Sequence, residues 1–154
     1  MMQPKTRNAI AALAISGAAL VTLVMNEGYT DKAVIPVPGD VPTIGFGTTE
    51  NVHLGDTTTP PKALQRALSD VSKYEGAIKK CVTVPLTQNE YDAYVDLAYN
   101  IGTSAFCGST LVKKLNAGDY EGACNEITKW DKFKGKPLPG LTKRRNAEML
   151  LCLS

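Results

Sequence analysis

From Ala9 to Met25 the chain is apolar on every side, and only Ser16 and Thr22 interrupt the run. A helix on the surface of a soluble domain carries a polar face, and this run has none, so it reads as a helix inserted in a membrane. Crossing the hydrocarbon core takes roughly 20 residues at about 1.5 Å each, which puts Ala9–Met25 at the short limit. Its richness in alanine and glycine makes insertion weak. Lys5 and Arg7 precede the run, a positive flank that keeps the N-terminus inside and exports the rest. The competing readings are a permanent anchor, a segment that inserts weakly and later leaves the bilayer, a cleaved signal peptide with small residues around Ser16–Ala19, and a buried helix of a soluble domain. The two inserted readings are favoured.

Beyond Met25 the pattern changes period. Residues Ala33 to Gly47 carry the marks of a hairpin or small sheet. Val34-Ile35-Pro36-Val37-Pro38 is β-branched but limited by its prolines to an edge or irregular strand. Gly39-Asp40 signals a turn, and Thr43-Ile44-Gly45-Phe46-Gly47 follows as a glycine-containing strand. Asn51–Thr58 is polar loop. Thr59 then suits an N-cap and Pro60 a first turn, and Leu64, Leu68, Val71 and Ile78 mark a helical stripe to about Lys80, long enough to link a small lobe to a larger one. Thr87-Gln88-Asn89-Glu90 is a capping box for a helix that ends near Gly102. Ser109-Thr110 opens a short helix over Leu111–Leu115, Asp119 caps another over Tyr120–Trp130, Lys134–Gly140 is loop, and Leu141–Leu153 is the last helix. No repeat or low-complexity linker appears. The pattern is α+β, a small sheet first and helices after it.

Composition adds bounds. A chain of 154 residues suffices for one compact domain with a core. The net charge of +2 does not argue for nucleic acid. Charge is uneven, however: Lys129, Lys132, Lys134, Lys136, Lys143, Arg144 and Arg145 face a single acid, Asp131, within one stretch. That stretch is either a solvated face or a surface that meets an anionic polymer or membrane. The four cysteines, Cys81, Cys107, Cys124 and Cys152, form no C-x-x-C pair and His53 is the only histidine, a pattern that argues against a zinc site. An even count in an exported chain fits two disulfides. Three pairings are possible, with buried free thiols as the alternative. Cys124 with Cys152 is favoured because both lie on helical patterns near the C-terminus, which leaves Cys81 with Cys107.

The candidate chemistry lies just after the apolar run. Glu27 follows it, with Gly28 beside it. Asp40 sits in the predicted turn, Asp31 is the other nearby acid, and Thr43 opens the next strand. A hairpin folding back on the helix end brings Asp40 and Thr43 opposite Glu27. Two carboxylates about a glycosidic bond suffice for its hydrolysis, one protonating the leaving oxygen and the other activating water or attacking directly. A glutamate against an apolar helix end has the environment that raises a general acid's pKa, and a threonine hydroxyl can hold the attacking water. Each residue also has an ordinary reading, Glu27 as a surface residue and Asp40 as a turn former. Tyr99 and Asn100 end a helix where they can meet sugars by stacking and hydrogen bonding, or simply pack and buttress. Arg144 and Arg145 are favoured as buttresses of the last helix, and His53 stands alone in a polar loop.

Asn26-Glu27-Gly28 with Pro42-Thr43-Ile44-Gly45-Phe46-Gly47 resembles the catalytic signature of the phage lysozymes, the endolysins of glycoside hydrolase family 24. Val84–Ala93, Tyr99-Asn100-Ile101-Gly102, Ser109-Thr110-Leu111, Lys114–Tyr120, Pro139-Gly140-Leu141 and Arg144-Arg145 with Glu148 extend the likeness from about residue 26 to the end. The segment before it is similar to the signal-arrest-release segment of some of these endolysins. The resemblance implies a lysozyme-like fold, with a small N-terminal β-hairpin lobe joined by a long helix to a mainly helical C-terminal lobe. It divides the chain into a signal-anchor segment, residues 1–25, and a muramidase domain, residues 26–154. The implied activity cuts the β-1,4 bond between N-acetylmuramic acid and N-acetylglucosamine in peptidoglycan, with Glu27 as general acid, Thr43 positioning water, and no metal or other cofactor. The implied partners are peptidoglycan and, before release to the periplasm, the inner membrane, with no nucleic acid and a monomeric state.

The chain departs from the family pattern in three ways, one being that Thr43 comes one residue later than the usual spacing. The usual aspartate nine residues after the glutamate is Pro36 here, so Asp40 is nominated as second carboxylate and Asp31 as reserve. The usual Gly-His after the strand is Gly47-Thr48. These departures keep open a rival reading, a peptidoglycan-binding, membrane-anchored module of lysozyme fold with impaired catalysis.

Overall fold

The structure, a computed structural model, describes residues 4–154. They fold as two compact units. One combines the N-terminal stretch up to Ala19 with Tyr74–Ser154, and the other is Leu20–Lys73.

The larger unit is built on one helix. After α1 (Gly17–Glu27), β1 (Thr30–Val34), β2 (Thr43–Gly45) and α2 (Pro60–Cys81) comes α3 (Gln88–Ile101). The capping box forms as the sequence predicts: Thr87 accepts from the Glu90 N–H, and the Glu90 side chain accepts from the Thr87 N–H. Gly102 closes the helix at φ +91°. Every residue of α3 from Glu90 to Tyr99 is buried. That includes three carboxylates, which a periodicity argument would send to the surface. Each has a partner, as burial of a charge requires. Glu90 meets Arg7 at 2.7 Å, Asp92 accepts from Ser16, and Asp96 meets Arg144 at 3.0 Å.

Around α3 lie α4 (Thr103–Cys107), α5 (Thr110–Asn116), α6 (Tyr120–Glu126) and α7 (Pro139–Leu153). Ser109 and Asp119 cap α5 and α6 as expected, accepting from the N–H groups of Val112 and Gly122. The helix expected to run to Trp130 instead tightens into a 3-10 turn over Ile127–Lys129. Two short elements escape the sequence pattern because neither is long enough for its period to repeat: α4, and a hairpin of β3 (Lys132–Phe133) and β4 (Lys136–Pro137) inside the expected loop. Cys81–Cys107 and Cys124–Cys152 form the two disulfides, the favoured pairing, each with Cα atoms 5.6 Å apart. Closing loops of this length is worth roughly 3–4 kcal/mol each by the chain-entropy argument.

The apolar run Ala9–Met25 is not one helix. It forms a 3-10 turn (Ile10–Ala12), an extended link, and then α1. Asn8 pairs through both backbone groups with Leu86, at 2.8 and 2.9 Å. The link is held open by side chains of α2 and α3. Lys79 donates to the Leu13 carbonyl and Gln88 to that of Ala14, the Ile15 N–H donates to Glu75, and Ser16 donates through both N–H and Oγ to Asp92. Groups that a continuous helix would bond internally are thus taken by the domain. Among the described residues, no helix is long and apolar enough to cross a membrane.

In the smaller unit β1 and β2 pair antiparallel, Thr30 opposite Gly45 and Val34 opposite Thr43, with a bulge between. The prolines at 36 and 38 leave Ile35–Val41 outside the ladder, so the first strand lies N-terminal to the predicted one. Lys32 bridges to Thr57, and Ile44 exchanges both backbone bonds with Thr48 at 3.0 Å. Gly45 has φ +63°, and a Cβ there would stand 2.9 Å from Ala63 Cβ on α2, so only glycine lets the strand lie this close to the helix.

Candidate active site

Glu27 is the last residue of α1 and is half-buried. Gly28 then takes φ +70° and turns the chain out of the helix. Tyr29 packs on Phe46, ring centroids 5.2 Å apart, which ties the exit of α1 to the turn after β2. In that turn Gly47 has φ +81°, and a Cβ built on it would lie 2.8 Å from Glu27 Oε2 and 3.3 Å from its Cδ. The backbone at Gly47 therefore forms one wall of the Glu27 carboxyl group. The sequence places Gly47 in a strand whose glycines permit close approach, but does not show that the group it approaches is Glu27. The available signal was a second glycine two residues after Gly45, at a place where a tight turn meets a helix end.

Thr48 is buried and donates its hydroxyl to Asp70 Oδ2 at 2.7 Å. It ties the turn that carries Gly47 to α2 through a neutral hydroxyl. Thr43, at the start of β2, is half-buried and donates to the Val41 carbonyl at 3.3 Å. Asp40 is exposed; its N–H donates to the Val37 carbonyl and its Oδ1 accepts from the Val41 N–H at 2.8 Å. Its carboxylate thus shapes the turn, as the ordinary reading of a Gly-Asp pair has it. Asp31 lies exposed on β1, and its carbonyl accepts from the Thr58 N–H. His53 is exposed and its backbone N–H donates to Asp56, the geometry of a loop.

Tyr99 and Asn100 belong to the other unit. Tyr99 is 8% exposed and packs its ring on Tyr74, centroids 5.0 Å apart. Asn100 presents its carbonyl oxygen to Arg145 Nη2. Arg145 is fully buried; it also donates to the Trp130 carbonyl and, through Nη1, to both Glu148 oxygens at 2.8 and 2.6 Å. Arg144 meets Asp96 and Glu148. Burial pushes the Glu148 carboxyl up to about 9, reinforced by its hydrogen bond to the Asp96 carboxylate and opposed by Arg145 and Arg144. Two carboxylates in contact cannot both ionise readily. The two arginines of the basic stretch are therefore spent inside the fold, joining α3 to α7.

The phage lysozyme family model matches residues 18–148. The chain is 49% identical over 113 residues to an endolysin of Acyrthosiphon pisum secondary endosymbiont phage 1, covering 71% of this chain and 77% of that one. It is 31% identical over 161 residues to the SAR-endolysin of Enterobacteria phage P21, covering 99% and 98%. The solved endolysin of Escherichia coli O157:H7 phage FAHEc1 superposes with a TM-score of 0.81 at 34% identity, covering 97% of each chain. With an acid at a helix end walled by a glycine turn, and with this likeness along nearly its whole length, the chain belongs to the phage lysozyme family.

Proposed function

We propose that this chain is an endolysin, a muramidase that hydrolyses the β-1,4 bond between N-acetylmuramic acid and N-acetylglucosamine and so lyses the host cell. Glu27 is the general acid, and Thr43 holds the attacking water. The observation that carries this is the Gly47 backbone against the Glu27 carboxyl. A glutamate at a helix end needs no such wall, whereas an acid that must deliver a proton to one oxygen needs a fixed direction. Digestion of purified peptidoglycan tests it. The wild type is expected to release new reducing ends, and Glu27→Gln to lower the rate by at least a hundredfold, within the range removal of a general acid commands.

The second carboxylate is proposed to be Asp40, with Asp31 as reserve. The bond from Asp40 to the Val41 N–H supports a turn role alongside it, so Asp40→Asn is paired with Asp31→Asn. Loss of rate in one variant with an unchanged melting temperature identifies the second acid. Full rate in both leaves the site running on Glu27 and Thr43. Tyr99 and Asn100 are proposed to meet the sugar chain from the end of α3.

We further propose that residues 1–25 are a signal-arrest-release segment ahead of a muramidase domain, residues 26–154. The segment first holds the enzyme at the periplasmic face of the inner membrane, and loss of membrane potential favours its escape. A SAR-endolysin relative alignable over nearly the whole chain supports this. So does the composition of α1: Leu23 is fully buried, but Val21 and Met25 are 56% and 76% exposed. A helix composed only for water would carry charges across its outer face; here Val21 and Met25 stand beside the uncharged Thr22 and Asn26, which fits a second environment. The hydrogen-bonding cradle around Leu13–Ser16 supplies the resting place for the freed segment. Tethered and released enzyme are expected to differ sharply in muralytic rate; equal rates contradict the restraint.

A further inference from the structure

The basic stretch of the sequence resolves into two groups with different fates. Arg144 and Arg145 are consumed by Asp96 and Glu148, and Lys129 pairs with Glu126. Lys132, Lys134, Lys136 and Lys143 remain exposed. Among the described residues no ion pair engages the last three, and Lys132 has only its chain neighbour Asp131, at 3.4 Å. Lys132 and Lys136 stand on β3 and β4, Lys134 at the tip between them, and Lys143 shares a shallow depression with Pro137 at the start of α7. Interleaved with them, Phe133 and Leu138 are each 42% exposed.

The tip carries a second, independent observation. Lys134 has φ +50° and Gly135 φ +80°, the arrangement of a two-residue hairpin turn in which asparagine, aspartate or glycine belongs at the first position. A lysine in the left-handed region is conformationally unfavourable. Its ammonium lies 5.4 Å from the Phe133 ring centroid, which keeps the charge at the apolar tip. A local rule broken at an exposed tip, in favour of a cation, marks a contact surface.

We propose that this hairpin docks the enzyme on the anionic phospholipid face of a bilayer. The lysines meet headgroup phosphates, and Phe133 and Leu138 enter the interface. Lysine is a point charge suited to a diffuse anionic surface, while planar bidentate recognition of carboxylates belongs to arginine; both arginines of the stretch are internal. Exposed apolar side chains among the lysines favour lipid over a polar glycan. This surface does not depend on the assignment of Glu27.

The test is vesicle binding by the full chain. Wild type and Lys134→Asn/Lys136→Gln are compared on phosphatidylcholine vesicles and on equal mixtures of phosphatidylcholine and phosphatidylglycerol. The phosphatidylcholine arm reads any contribution of the N-terminal segment, which both proteins share. Wild type is expected to prefer the anionic vesicles and to lose that preference as salt is raised. Each lysine near an anionic surface is worth roughly a fivefold gain in binding, so the double variant should lose about 25-fold of the preference. It should melt no lower than wild type, because asparagine tolerates the left-handed turn, and should digest purified peptidoglycan at the same rate. Equal anionic preference in both proteins overturns the proposal. So does a wild-type advantage seen on purified peptidoglycan sacculi and absent on vesicles, which assigns the hairpin to the wall.

Discussion

A methyl group on Gly47 would sit 2.8 Å from Glu27 Oε2, and the backbone there is already at φ +81°. Gly47→Ala therefore combines a backbone cost of roughly 1–2 kcal/mol with displacement of the acid. Because Glu27 is a flexible side chain, the fold can yield by moving it. The expected outcome is a melting temperature lowered by a few degrees and a muralytic rate lowered by about a hundredfold, the penalty of an ångström-scale misplacement. A rate that falls no more than stability explains would remove Gly47 from the site. The motif proposed around Glu27 and Thr43 is visible in the sequence because glycine spacing and a lone glutamate survive as letters. Asp40 was legible only as an acid in the right turn. Its bond to the Val41 N–H depends on turn geometry, which the letters do not carry.

Helix α3 shows what periodicity reads and what it misses. Its start and end were legible because the capping box and the terminal glycine are local devices. Its burial was not, since Glu90, Asp92 and Asp96 are charged and their partners arrive from distant parts of the chain: Arg7, Ser16 and Arg144. The same long-range pairing explains why the apolar run Ala9–Met25 reads as one helix yet folds as a turn, an extended link and α1. Asp92→Ala removes the acceptor for both the N–H and the hydroxyl of Ser16. Leaving those donors without a partner is worth about 1–3 kcal/mol, and the loss is expected to appear as lowered thermal stability. On the proposed release, it also appears as a larger fraction of enzyme sedimenting with membranes after depolarisation. Unchanged partitioning would mean that the cradle does not govern release.

For the whole molecule, the buried cluster of Asp96, Arg144, Arg145 and Glu148 sets a pH dependence. Glu148 is raised to about 9 in the fold, chiefly by burial. The folded state therefore holds a proton that the unfolded chain gives up in the ordinary glutamate range. Stability from this group is present below that range and is lost as pH rises through about 9, with a slope of at most about 1.4 kcal/mol per pH unit. Melting temperatures measured from mildly acidic to alkaline pH should fall across that window, and Glu148→Gln should flatten the fall. The α+β order, the long α2 and the disulfide pairing were all readable ahead of the structure. In the basic stretch the buttressing arginines were readable too, but the lysines left without an acidic partner were not, because pairing depends on the fold.

The central claim is that Glu27 drives cleavage of the glycan strand, and reducing-end analysis of digested peptidoglycan tests it most directly. Wild-type enzyme is expected to generate new N-acetylmuramic acid reducing ends, and folded Glu27→Gln to generate almost none. New reducing ends released by Glu27→Gln at the wild-type rate, or wild-type digestion without any new reducing ends, would contradict it.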